Sequence, residues 1–373
     1  MTIHLQHRLL RHRRQPAARR QQGFTLVELM VALVIALILL VGLGSLFVSN
    51  IRSRTELDKY SRQLENGRYA LYTMSSDFAS AGYYGSMSTD TFEGQIPTLC
   101  PTEATQLGYQ LPANTEDKAK LPLPVYVPDA APTCVTNAKA GSPIVLLTRV
   151  SSNAVAPADA TANETYVQAS NCESDNQSFA IGVAADGGNS ATFPLLQKGC
   201  EAGKLAAVRK VVHRLYYVST CHDCTDGKAD DIPTLKVVDY AGKNTATVTA
   251  VAEGIEELRV DYGIDMDANG SPDCYVSNPN SPPTAEIAEA VCPKTTPEYV
   301  WTDGLKNWQN VVTLRLHVLA RTIDPTAGWS DNKTYEMGLD GTQGPFNDTY
   351  KRHAYITTVR LNNVAGHREG AAP

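Results

Sequence analysis

Gln22-Gly23-Phe24-Thr25-Leu26-Val27-Glu28-Leu29-Met30-Val31-Ala32 opens the stretch that decides the fold. From Phe24 to Val48 only Glu28 is charged. As a helix this segment rises about 37 Å, more than the ~30 Å hydrocarbon core of a bilayer. Before it stand Arg8, Arg11, Arg13, Arg14, Arg19 and Arg20, with no acid among residues 1–20. Arginines on one side of a span and a long acidic region on the other place the N-terminus in the cytoplasm and the bulk outside.

The chain has 373 residues, enough for a sizeable buried core. Charged residues make up only 19%, and small and turn-forming residues are frequent, which suits a loop-rich β domain more than a helical bundle. Removing the six N-terminal arginines takes the formal net charge from −6 to −12. An acidic mature chain argues against nucleic acid as a partner. Cys100, Cys134, Cys172, Cys200, Cys221, Cys224, Cys274 and Cys292 all lie beyond the span, on the side where disulfides persist. Sequence does not fix their pairing; the simplest expectation joins chain neighbours.

After the apolar run, Leu57, Tyr60, Leu64, Gly67, Leu71, Met74 and Phe78 recur at helical spacing. The spacing predicts that the membrane helix continues and lays this stripe on its own globular domain, with a stop near Gly82. Residues 95–203 read as a loop-rich insertion with short strands at 144–148 and 165–168. Further on, Leu258, Val260, Tyr262 and Ile264 alternate with Glu257, Arg259, Asp261 and Gly263. Val312, Leu314, Leu316, Val318 and Ala320 alternate likewise with Thr313, Arg315, His317 and Arg321, and residues 355–361 form a third candidate. These predict antiparallel strands with one buried face, hence an α+β fold in which the helix covers a sheet.

The string from Gln22 to Ala32 closely resembles the type IV prepilin signature. That resemblance implies cleavage between Gly23 and Phe24 by a prepilin peptidase, which also methylates the new amino group. An ordinary signal peptide fits poorly, because its small-residue cleavage site follows a shorter apolar stretch. Asn66-Gly67-Arg68-Tyr69-Ala70-Leu71, Ala81-Gly82-Tyr83-Tyr84-Gly85, Glu253-Gly254-Ile255-Glu256-Glu257-Leu258, Trp308-Gln309-Asn310-Val311 and Thr358-Val359-Arg360-Leu361-Asn362-Asn363 are similar to PilW-type minor pilins. The resemblance implies a pilin-like architecture and a structural subunit, not an enzyme. It implies contacts with other minor pilins, the major pilin and a tip adhesin, with inner-membrane residence before assembly and a place on the surface pilus after it. In that family a glutamate such as Glu28 pairs with the α-amino group of an adjoining subunit. Beside this stands a local reading, the capping box Thr25-x-x-Glu28; the cost of a carboxylate in lipid favours the intersubunit partner.

The expected organisation is a leader (1–23), a transmembrane helix half (24–48), an amphipathic half (49–82) and a β-rich domain (83–373). A minor pseudopilin of a type II secretion system would share this logic. A tip-displayed, calcium-dependent adhesin is a further alternative. Its support is the loop Asp265, Asp267, Asn269, Ser271 and Asp273, whose oxygens fall at EF-hand positions with Gly270 at position six. Val276 stands where a bidentate glutamate would close the shell, and a polar hairpin loop is the plainer reading. Cys221-His222-Asp223-Cys224 has redox or metal spacing but lacks a second ligand pair, so a structural disulfide is expected. His213, His222, His317, His353 and His367 are scattered and read as surface residues.

Overall fold

The computed structural model describes residues 23–87, 92–114, 117–186, 189–225, 227–242, 245–281, 292–295 and 298–369. Residues 1–22 of the expected leader lie outside them. After Glu56 the chain divides into two compact units.

The first unit is the N-terminal part of α1 (Leu26–Phe78). Every side chain from Phe24 to Thr55 is exposed. This helix is long and apolar enough to cross a membrane. Leucine and alanine favour helix intrinsically, and in lipid a helix satisfies all of its own backbone polar groups. Around Gly42 and Gly44 the helix surface is open, a notch where another helix can approach closely.

In the second unit α1 turns the predicted stripe inward from Gly67 on, with Met74 and Phe78 buried and Leu71 packed against the core, but not at its first two members. Gln63, Gly67, Ala70, Met74, Asp77 and Phe78 are buried, whereas Leu57 and Tyr60 are 68% and 46% exposed. The buried stripe therefore starts at Gln63. Its amide donates to the carbonyls of Ala320 and Lys351 at 2.7 and 2.9 Å, so a polar side chain holds a position that counting apolar residues misses. Gly67 is required there, since a Cβ would come within 2.3 Å of the Tyr355 ring. Helix α1 ends at Phe78, and Gly82, at φ +73°, donates its N–H to the Thr148 carbonyl.

The strands follow as β1 (Glu93–Gln95), β2 (Lys120–Pro122), β3 (Val125–Tyr126), β4 (Val145–Val155), β5 (Thr165–Ala169), β6 (Phe179–Val183), β7 (Val208–Ser219), β8 (Thr234–Gly242), β9 (Thr245–Glu253), β10 (Ile255–Ile264) and β11 (Cys274–Val276). Then come α2 (Gly304–Gln309), β12 (Val311–Arg321), β13 (Tyr335–Glu336), β14 (Thr342–Gln343), β15 (Arg352–Arg360) and α3 (Asn362–Glu369). A four-stranded antiparallel sheet has the order β11-β10-β12-β15. A seven-stranded sheet has the order β3-β4-β7-β5-β6, with β8 joining β7 to β9. The stretch 95–203 thus builds strands into the second sheet and is not an appendage to the first.

One core joins both sheets to α1. Met74 and Phe78 meet Leu147 and Tyr216 of the larger sheet and Leu258, Leu316 and Val318 of the smaller. Each such side chain contributes about 1.5–3 kcal/mol by leaving water. The second face of the smaller sheet, expected to be exposed, is largely buried over β10 and β12 and open only on β15, where Ile356 and Thr358 are exposed. Glu257, Asp261, Thr313 and His317 are all buried: Asp261 and His317 lie against the residues from β13 to β14, Glu257 pairs with Lys139 and Arg259, and Thr313 meets the Tyr275 hydroxyl. The Leu339 N–H donates to Asp261 Oδ1 at 3.0 Å, and His317 Nε2 meets Asp261 Oδ2 at 3.0 Å. A covering segment that satisfies these groups lets charged residues occupy a buried face. His317 is therefore not a surface residue. Nor is His213, which is buried with Nε2 against the Leu99 carbonyl.

Candidate functional site

The N-terminal site is built by the start of α1. Phe24 is exposed, and it and Gly23 precede the first turn of the helix. The Thr25 N–H and hydroxyl each donate to Glu28 Oε2 at 2.9 Å, and the Glu28 N–H donates to Thr25 Oγ1 at 3.3 Å. This reciprocal capping box satisfies helix-start donors that would otherwise be orphaned. It also holds the carboxylate at the positive end of the helix. Among the described residues Glu28 Oε1 accepts no hydrogen bond.

The acidic loop after β10 brings its carboxylates together. Oxygens of Asp265, Asp267 and Asp273 lie within 4.8 Å of one another. Asp265 is fully buried, and its Oδ2 accepts from Gly270 N–H at 2.9 Å and from Arg368 Nε at 2.5 Å. Its Oδ1 takes the Asn269 N–H at 3.2 Å, Asp267 accepts from the Asn269 amide, and Asp273 accepts from Met266 N–H at 2.6 Å. The Ser271 N–H in turn binds Asn269 Oδ1 at 2.8 Å. Arg368, on α3, thus supplies the cation that crowded carboxylates require. Val276 is buried on β11 and offers no side-chain oxygen. As a donor set for calcium the loop fits incompletely: its most buried carboxylate already has a charged partner, and its closing ligand is absent.

All eight cysteines are paired with chain neighbours, as Cys100–Cys134, Cys172–Cys200, Cys221–Cys224 and Cys274–Cys292. The last ties β11, beside the acidic loop, to residue 292.

Two charge networks went unread in the sequence. Asp77, buried on α1, accepts from Arg149 at 2.9 Å, Arg214 at 2.8 Å and the Tyr216 hydroxyl at 2.8 Å, joining the helix to β4 and β7. Burial pushes its carboxyl pKa up, but Arg214, the Tyr216 hydrogen bond and Arg149 outweigh that and hold it below the usual value. Arg352, buried at the start of β15, binds Glu256, Asp331 and Asp348 and stacks on Phe346 at 3.7 Å. The one signal available for Asp77 was its place three residues after Met74, on the buried side of the helix.

Compared with known families, residues 215–363 match the model for type IV pilus-assembly protein W, and residues 18–44 match the prokaryotic N-terminal methylation motif. These are the family and the motif that the sequence resembles. No curated protein and no solved structure matches the chain. Together the two matches support a pilin related to type IV pili.

Proposed function

We propose that the chain is a minor pilin that takes part in starting pilus assembly and sits at or near the pilus tip. The observation that carries this reading is the exposed apolar helix of α1, headed by a processing motif and followed by a large disulfide-bearing domain matched to the type IV pilus-assembly family. Before assembly it crosses the inner membrane once, with its bulk in the periplasm. Removal of residues 1–23 leaves Phe24 as the new terminus, and the helix then passes from lipid into the filament, packing on the helices of neighbouring subunits.

Glu28 serves both of its readings at once. Oε2 caps its own helix through Thr25, and Oε1 stays available for the α-ammonium group of an adjoining subunit. An ion pair formed in lipid has little competition from water, so it sets register between subunits. The test is Glu28→Ala and Glu28→Gln in cells, measuring the chain in membranes and in sheared pili. Normal membrane levels with loss from pili are expected for both; normal incorporation of Glu28→Ala overturns the assembly role.

A further inference from the structure

The connection between β7 and β8 carries Cys221-His222-Asp223-Cys224, closed by a disulfide between residues three apart in sequence. The other three bridges span 18, 28 and 34 residues. Closing so short a loop removes the least freedom from the unfolded chain, so of the four this bridge contributes least to stability by that route. Cys221 is 5% exposed and Cys224 is half-buried, so Cys224 is the sulfur within reach of a reagent in solution.

Lys236, on β8, is 8% exposed, and its Nζ lies 3.3 Å from Cys224 Sγ. Among the described residues this ammonium group forms no ion pair. The nearby carboxylates are engaged by the loop itself. Asp230 accepts the N–H groups of His222 at 2.7 Å, Asp223 at 2.9 Å and Ile232 at 3.1 Å. Asp223 accepts the N–H and the hydroxyl of Thr225 at 3.0 and 2.6 Å, and Glu253 faces His222 Nδ1 at 3.5 Å. Burial outweighs the pull of Asp230 and Asp223 and pushes the Lys236 pKa down.

A buried ammonium without a paired anion is costly, and a disulfide sulfur is a neutral, weak acceptor. Reduction supplies the anion. A thiolate at Cys224 would lie beside Lys236 and 3.5 Å from the Ser219 hydroxyl, neighbours that lower a thiol pKa from its usual value of about 8.5. Among the described residues no lysine, arginine or histidine bonds to a sulfur of the other three bridges.

We propose that Cys221–Cys224 is a thiol–disulfide exchange site that takes two electrons from a dithiol, with Lys236 stabilising the Cys224 thiolate that results. One thiolate of the dithiol attacks Cys224 Sγ; the bond to Cys221 breaks, and Cys221 leaves with the electron pair and takes up a proton. The second sulfur of the dithiol, once deprotonated, attacks the first. The bond from that first sulfur to Cys224 breaks, and Cys224 leaves as the thiolate beside Lys236. The dithiol ends as a disulfide; one of its protons resides on Cys221 and the other in solvent.

The test equilibrates the full chain in detergent, at neutral pH, with dithiothreitol at stepped ratios of reduced to oxidised form. Free thiols are then alkylated and read at each cysteine by tandem mass spectrometry. Cys221 and Cys224 should be reduced at the lowest ratio of the four pairs. Lys236→Met should raise that ratio about tenfold or more, the change expected at neutral pH when a thiol pKa near 6 returns to about 8.5; Lys236→Arg should stay close to the unsubstituted chain. In the reduced chain the pH dependence of alkylation at Cys224 should give a thiol pKa at least about one unit below 8.5, a readout that a merely structural lysine would not move. A ratio unchanged by Lys236→Met overturns the proposal, and so does a Cys224 pKa at or above that ordinary value in the unsubstituted chain. If Lys236→Met does not fold, the pKa alone decides.

Discussion

Replacing Asp77 with alanine should destabilise the globular unit more than any exposed charge deletion. The carboxylate is 7% exposed and serves Arg149, Arg214 and Tyr216 together. Its removal leaves two guanidinium groups against a buried hydroxyl, although Arg214 keeps Asp239 at 3.0 Å. Breaking one partner of a buried ion network costs about 3–5 kcal/mol, because the charge left behind is uncompensated. The exposed pair Arg62–Asp58 is the contrast: Asp58→Ala should cost at most ~1 kcal/mol. The sign with pH follows from the lowered Asp77 pKa. Its contribution is fully present above the unfolded carboxyl value of about 3.9 and is lost as pH falls through the lower folded value. Urea titration of the full chain in detergent without reductant, followed by tryptophan fluorescence, measures both effects. A loss below about 1 kcal/mol for Asp77→Ala at neutral pH would refute the view that this network locks α1 to the larger sheet.

Three further outcomes are expected. Gly254→Ala should cost about 1–3 kcal/mol in the same titration, since Gly254 has φ +74° and a Cβ would come within 2.6 Å of the Arg321 carbonyl oxygen. Burial pushes the His213 pKa down to about 4, only partly offset by its hydrogen bond to Leu99, so the folded state favours the neutral ring. Stability should therefore fall as pH drops from about 6.5 towards 4, by up to ~3 kcal/mol, and His213→Gln should flatten that slope. Arg368→Met should raise calcium affinity measured by calorimetry, because the metal would replace the cation at Asp265; affinity unchanged by both Arg368→Met and Asp267→Ala removes the loop as a cation site.

The membrane helix and the strand alternation were legible because each is a local pattern with one dominant cause. A run of apolar residues in lipid needs nothing from the rest of the chain, and the alternation through Leu258 and Leu314 records the core beneath the sheet. What escaped notice depends on distant partners. Gln63 is buried because carbonyls of Ala320 and Lys351 are there to receive its amide, and His317 is buried because the β13–β14 segment folds over its face. Asp265 looked like a metal ligand while Arg368, more than a hundred residues later, was out of view. The stretch 95–203 looked loop-rich because most of its strands are short and join a sheet only through β7, which lies beyond the end of the stretch and is flanked by β4 and β5.

The mature N-terminus tests the central claim most directly. Mass spectrometry of the chain recovered from cells should show it beginning at Phe24 with an N-methyl group. A chain that retains residues 1–23, or is cut elsewhere, would contradict processing as a pilin and with it the account of Glu28 and helix transfer.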